Sequence, residues 1–194
     1  MQGASADPSA PRARPDGKIP GWFKYRRLYD AAIAAAADGA VFVEVGSWKG
    51  RSAHYMASRI RESGKRIRFC CVDHWLGSAE HRDDPDVVGG TLYDTFLRNT
   101  ASVSGFIEPM RMTSLEAAQQ FPEGSCDLVM LEASHDYESV RADIAAWWPK
   151  VTPRGVLAGD DYAWPGVSRA VEEAFGARVK VLGKDKGRHW RVAK

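Results

Sequence analysis

Residues 41–53 read VFVEVGSWKGRSA. Val41–Val45 is a short run rich in β-branched residues, as expected of a buried strand. Gly46 and Gly50 follow at once, and the stretch from Gly50 to Glu62 reads as a helix that stops at Ser63-Gly64. A strand, a glycine turn and a helix in succession form the opening half of a parallel β-α-β unit. Glycines at such a turn let the backbone bend tightly and approach a ligand closely. Two phosphate-binding patterns are excluded. In the dinucleotide pattern G-x-G-x-x-G, Trp48 would occupy the second glycine position and block a pyrophosphate. The P-loop pattern fails because the spacing is one residue short and Arg51 replaces its Lys. What remains, from Glu44 to Ser52, is E-x-G-x-x-x-G-x-S, which suits a ligand without phosphate or a purely structural turn.

The alternation continues in both directions. Upstream, Trp22–Ala37 reads as a helix with Asp38-Gly39 as its stop. Downstream, strands are expected at Ile67–Asp73, Ile107–Met112, Asp127–Glu132 and Val156–Ala158. Helices are expected at Thr91–Val103, Ser114–Phe121, Tyr137–Trp148 and Val167–Phe175. Residues 74–90 read as a long polar loop, and Val151–Gly155 as a turn. Arg178–Leu182 and His189–Val192 form a closing hairpin around Gly183–Gly187. This pattern predicts an α/β fold, a seven-stranded and mostly parallel sheet with helices on both faces and an antiparallel C-terminal edge hairpin. Ligands bind such sheets outside the carboxyl ends of the strands. Glu44, Gly46, Asp73, Ser114, Glu132, Asp160 and Asp161 fall there, which predicts an acid-rich pocket.

The chain has 194 residues, of which 44% are hydrophobic and 27% charged. That composition suits one globular domain and excludes a collagen-like, coiled-coil or largely disordered chain. Residues 1–19 hold three of the ten prolines and read as a flexible tail, leaving 20–194 as a single domain. No apolar run is long enough for a membrane span, and no secretory signal is visible. Cys70, Cys71 and Cys126 lack zinc spacing and read as core thiols in a reducing compartment, so a cytoplasmic protein is expected. The net charge of +2 hides an asymmetry. Residues 1–30 carry six basic and three acidic side chains, and 178–194 carry seven and one, which leaves 14 basic and 21 acidic in between. An acidic middle opposes a nucleic-acid face and suits a cation.

The segments VFVEVGSWKGRSA, CVDHW, SLEAAQQF, DLVMLEASHDYESVRADIAAWWPKVTPRGVLAGDDY and PGVSRAVEEAF occur in this order across residues 41–175. The chain thereby resembles the class I S-adenosylmethionine-dependent methyltransferases, which have a Rossmann-like fold. Within them it is similar to a small bacterial subgroup that includes macrolide-sugar and cephalosporin-pathway enzymes. The resemblance implies S-adenosyl-L-methionine as cofactor. It places Gly46, Ser47 and Gly50 along the methionine end, with Glu44 steadying that loop or facing the amine. Asp73 would hold the ribose hydroxyls with Trp75 close by, and Ser114 and Leu115 would flank the adenine. Two departures stand out. Glu132-Ala133 replaces the subgroup's usual Asp-Gly, and Asp160-Asp161 replaces its His-Asp before Tyr162.

Glu132, Asp160 and Asp161 would bring three carboxylates together, and like charges repel unless a cation sits between them. Oxygen ligands suit Mg²⁺ or another hard divalent cation. Capping of the next helix, or bonds to cofactor amines, would also account for Asp160 and Asp161. His135 is the candidate general base, with a plain surface role as the alternative. Tyr137 and Trp164 would shape the acceptor pocket or pack in the core, and Trp147 and Trp148 read as core. The expected reaction is O-methylation of a small molecule or sugar hydroxyl, with a cation assisting. Residues 74–90, with Glu80, His81, Asp83, Asp84 and Gly89-Gly90, would act as a lid. The rival readings are a cofactor-binding protein without turnover and an RNA-modifying methyltransferase. The composition is compatible with a homo-oligomer.

Overall fold

The computed structural model describes residues 19–184 and 188–194. Residues 1–18 of the expected tail and part of the hairpin loop therefore lie outside the described residues. Seven strands form one sheet, β1 (Val41–Val45), β2 (Arg68–Asp73), β3 (Glu108–Arg111), β4 (Cys126–Leu131), β5 (Val151–Gly159), β6 (Lys180–Leu182) and β7 (His189–Ala193). Their spatial order is β3-β2-β1-β4-β5-β7-β6. The first five run parallel, and β7 pairs antiparallel with both β5 and β6. The chain works outward from β1 to β3 and then returns to β4. A switch point thus opens between β1 and β4, where ligands of doubly wound sheets bind.

Among the described residues seven α-helices flank the sheet, α1 (Arg26–Ala35), α2 (Arg51–Ser63), α3 (Pro85–Val88), α4 (Leu92–Thr100), α5 (Ser114–Ala118), α6 (Tyr137–Trp147) and α7 (Pro165–Phe175). Alternate strand residues point to opposite faces, and this divides the core in two. Phe42, Phe69, Cys71, Leu128 and Met130 meet Leu28, Met56, Ile60 and Phe96 of α1, α2 and α4. Val43, Val45, Cys70, Val72 and Val129 meet Ala117, Ile144, Val171 and Phe175 of α5, α6 and α7. All three cysteines are buried free thiols.

Three local expectations are corrected. The first helix begins at Arg26, and residues 20–25 run as an extended strap. Phe23 and Tyr25 point inward while Trp22 and Lys24 point outward, the period of two that extended backbone imposes. Val151–Gly155 is part of β5. Cys126 pairs with Val151 and Leu128 with Val156, so the Pro and Gly make an irregularity inside the strand. Residues 74–90 contain a 3-10 turn at Ala79–His81 and the short α3.

Candidate active site at the switch point

One cavity of about 1060 Å³ opens at the carboxyl ends of the strands. The turn after β1 forms its floor. Gly46 has φ +90, and a Cβ there would lie 2.5 Å from the Glu132 carbonyl oxygen. Only glycine lets the β1 turn cross the end of β4 so closely. Trp48 also holds a left-handed backbone, with φ 48. Its N–H donates to Asp73 Oδ2 at 2.9 Å, while the Trp75 N–H donates to Asp73 Oδ1 at 2.7 Å. The carboxylate of Asp73 is thereby oriented at the cavity wall, with lone pairs left for further donors.

Nine expected site residues line this cavity, namely Gly46, Ser47, Asp73, Ser114, Leu115, Glu132, His135, Asp160 and Asp161. Glu44, Gly50 and Trp75 do not. Glu44 is buried beneath the turn and accepts from the Tyr29 hydroxyl at 2.6 Å. Burial pushes its carboxyl pKa up. Gly50 packs against Thr100 and Phe96. Trp75 is buried between Tyr93 and Phe96, and its indole N–H donates to the Trp48 carbonyl at 2.9 Å. These three support the turn after β1 from behind. Tyr137 also stays off the cavity, donating instead to Glu173 at 2.5 Å.

Glu132, Asp160 and Asp161 each present an oxygen within 4.8 Å of the others. Glu132 Oε2 and Asp160 Oδ1 are buried without a partner. Burial and the charges of Asp160, Asp161 and Glu44 drive the Glu132 pKa well above the usual carboxylate range, opposed by Lys24. Asp160 is pushed up to about 6, chiefly by burial. A hard cation fits this donor set, because it would satisfy both orphaned oxygens and relieve the repulsion.

His135 lies in this cluster in an unexpected state. Its Nε2 donates to Asp161 Oδ2 at 2.8 Å, and its Nδ1 lies 3.1 Å from Glu80 Oε2. Trp164 stacks on the ring at 5.0 Å. The Asp161 bond, aided by Glu80 and opposed by burial, lifts its pKa to about 9. At neutral pH this His135 is an imidazolium and has no lone pair for a substrate proton. The expected general base is, in this arrangement, a cation that ties Glu80 to Asp161.

Residues 74–90, the expected lid, divide in the same way. Gly77, Ser78, Glu80 and His81 border the cavity, and His81 packs on Trp48 at 4.2 Å. Gly89 and Gly90 do not border it. Buried Lys49 fixes the distal half, meeting Asp84 and Asp86 at 2.7 Å each. Three contributors escaped the sequence reading. Trp22 and Lys24 of the strap line the cavity, as does Asp143 of α6. The W-F-K-Y alternation at 22–25 carried a signal for the strap. Asp143 carried a weaker one, lying one helical turn before Trp147, whose indole N–H and Asp143 both bond Ser114.

A family described as Methyltransferase domain matches residues 43–162. The Sinorhizobium fredii protein y4gI is 28% identical over 119 residues, 61% of this chain. The chain spans only 13% of that protein's length. Among solved structures, the O-methyltransferase NovP superposes with a TM-score of 0.63 at 16% identity, over 88% of this chain and 79% of that one. A Bacillus cereus O-methyltransferase bound to S-adenosylhomocysteine gives 0.59 at 18%, over 96% and 84%. A Thermotoga maritima S-adenosylmethionine-dependent O-methyltransferase gives 0.62 at 10%, over 91% and 67%. With more than half of its length matched, the chain belongs to the methyltransferase-domain family, and it shares the fold of these O-methyltransferases.

Proposed function

We propose that this protein transfers the methyl group of S-adenosylmethionine to a hydroxyl of a small molecule or sugar in the cytoplasm. The observation that carries the reading is one cavity holding the Gly46 turn, Asp73 and the Glu132-Asp160-Asp161 cluster together. The similarity to proteins named O-methyltransferases supports oxygen as the accepting atom. Bound S-adenosylmethionine supplies an activated methyl on sulfur, so the protein's task is alignment and exclusion of water.

Asp73 presents two oriented carboxylate oxygens to a diol, and Gly46 and Ser47 let a ligand lie against the turn. Glu132, Asp160 and Asp161 would hold a Mg²⁺-type cation, which supplies Lewis acidity toward a hydroxyl. His135 and Glu80 close the acceptor side, with Trp164 and Trp22 as apolar walls. The acceptor proton would leave to a cluster carboxylate oxygen that the cation leaves free, or to His135 once that ring has passed its Nε2 proton to Asp161.

Calorimetry against S-adenosylhomocysteine tests the cofactor half, and methyl transfer in chelator tests the cation half. Binding in the micromolar range and loss of turnover in chelator are expected. Absence of S-adenosylhomocysteine binding overturns the function, whereas full turnover in chelator removes the cation alone.

A further inference from the structure

We propose that Asp143 reads the exocyclic amine of the cofactor's adenine, and that Ser114 positions Asp143 instead of contacting the adenine through its own hydroxyl. This rests on the reading of the cavity as an S-adenosylmethionine site. Asp143 lies on α6 and is buried, yet it borders the cavity beside Met112, Thr113, Ser114 and Leu115. Ser114 Oγ donates to Asp143 Oδ1 at 2.5 Å and accepts from Trp147 Nε1 at 2.9 Å. The single hydroxyl proton of Ser114 is therefore already committed. Asp143 keeps a second oxygen, which can only accept.

The electrostatics of Asp143 also point outward to a ligand. Burial pushes its pKa up to about 6, and the one charge acting on it is that of Asp136, of like sign. No cation among the described residues offsets it. An amide would hold Ser114 equally well without that burden, so the fold alone does not call for a carboxylate here. A buried acceptor with no positive partner asks for an N–H donor from the cavity. Met112 and Leu115 supply apolar contact for a flat ring, and Leu115 is 46% exposed toward such a partner. A flat heterocycle with an amine on its rim meets both requirements. A ring with a carbonyl at that place would set oxygen against oxygen, and sites built for a donor reject the analogue that lacks it.

The experiment is calorimetric titration of the full chain with S-adenosylhomocysteine and with S-inosylhomocysteine, in which a carbonyl replaces the amine. The wild type should prefer the adenosyl ligand by at least about tenfold. Asp143→Asn and Asp143→Ala should each bind the adenosyl ligand about tenfold more weakly, and the preference should fall to about threefold or less. A purely structural Asp143 would weaken both ligands alike and leave the preference intact, and that result overturns the proposal. Equal binding of the two ligands by the wild type overturns it without any variant, which covers a variant that fails to fold. Failure of the wild type to bind either ligand would instead overturn the cofactor reading beneath it.

Discussion

Asp143 also bears on stability, because its folded pKa of about 6 lies above the ordinary carboxyl value of 3.8. The folded chain therefore binds one more proton than the unfolded chain between these two values. Stability associated with this carboxyl is present below the unfolded value and is lost as pH rises through about 6. Asp143→Asn removes that dependence. Denaturant melts should show the variant gaining on the wild type by about 1–3 kcal/mol between pH 4 and pH 8. A difference that stays flat with pH would mean that Asp143 is solvated in the folded protein. Glu44 makes the opposite case, a buried carboxyl that the fold itself requires. Tyr29→Phe removes its 2.6 Å donor and keeps the ring in the core. The loss should be about 1–3 kcal/mol at neutral pH, since Glu44 stays buried. A neutral result in the same melts would remove the hydroxyl from the support of the β1 turn.

At the scale of elements, the turn after β1 and the segment 74–90 are joined through Lys49. Its side chain is 6% exposed and its ammonium meets Asp84 and Asp86, and Asp86 also accepts from Thr95 at 2.8 Å. Lys49→Met leaves two carboxylates facing an apolar stem and should destabilise the protein by about 2–4 kcal/mol. Adding Asp84→Asn and Asp86→Asn should recover a large part of that loss. Equal stability of the single and triple variants would show that the contact does not hold the segment. Strand–helix alternation was legible in the sequence because β2 and β4 carry the apolar runs Phe69–Val72 and Leu128–Leu131 and β1 is interrupted only by Glu44. The acids and glycines at the strand ends were legible for the same reason, since the runs end there. The extended strap at 20–25 was hidden, because aromatics beside an Ala-rich stretch read as helix until the burial of alternate residues is known. The bulge in β5 was hidden too. Pro153 and Gly155 signal a break in any strand, and only pairing with β4 on both sides restores it. The state of His135 was beyond reach, because Glu80 lies 55 residues away in sequence and Asp161 lies 26.

At the scale of the molecule, charge is sorted by sequence region and by cavity alike. The middle of the chain is acidic, and seven carboxylates line the cavity against the two strongly basic side chains Lys24 and Arg51. No helix among the described residues is long and apolar enough to cross a membrane. The charge inside the cavity is only partly answered by the protein. His135 serves Asp161, and Lys24 lowers the pKa of Glu132 and Asp160 without restoring either to its ordinary value. A cation that joins the cluster competes with protons for carboxylates whose pKa values are raised, so its affinity rises with pH. Because the unfolded chain has no such cluster, the binding energy appears as folding stability. A free cation at 100 times its dissociation constant adds about 2.7 kcal/mol. For a chain of this length that raises the melting temperature by about 5–10 °C. Thermal melts of the wild type should show this rise with Mg²⁺ or Mn²⁺, larger at pH 8 than at pH 6. Asp160→Asn should abolish it while S-adenosylhomocysteine still stabilises the variant, since Asp73 and the Gly46 turn are intact. A wild-type melting temperature indifferent to divalent cations at pH 8 would leave protonation of Glu132 as the way this fold neutralises its own acids.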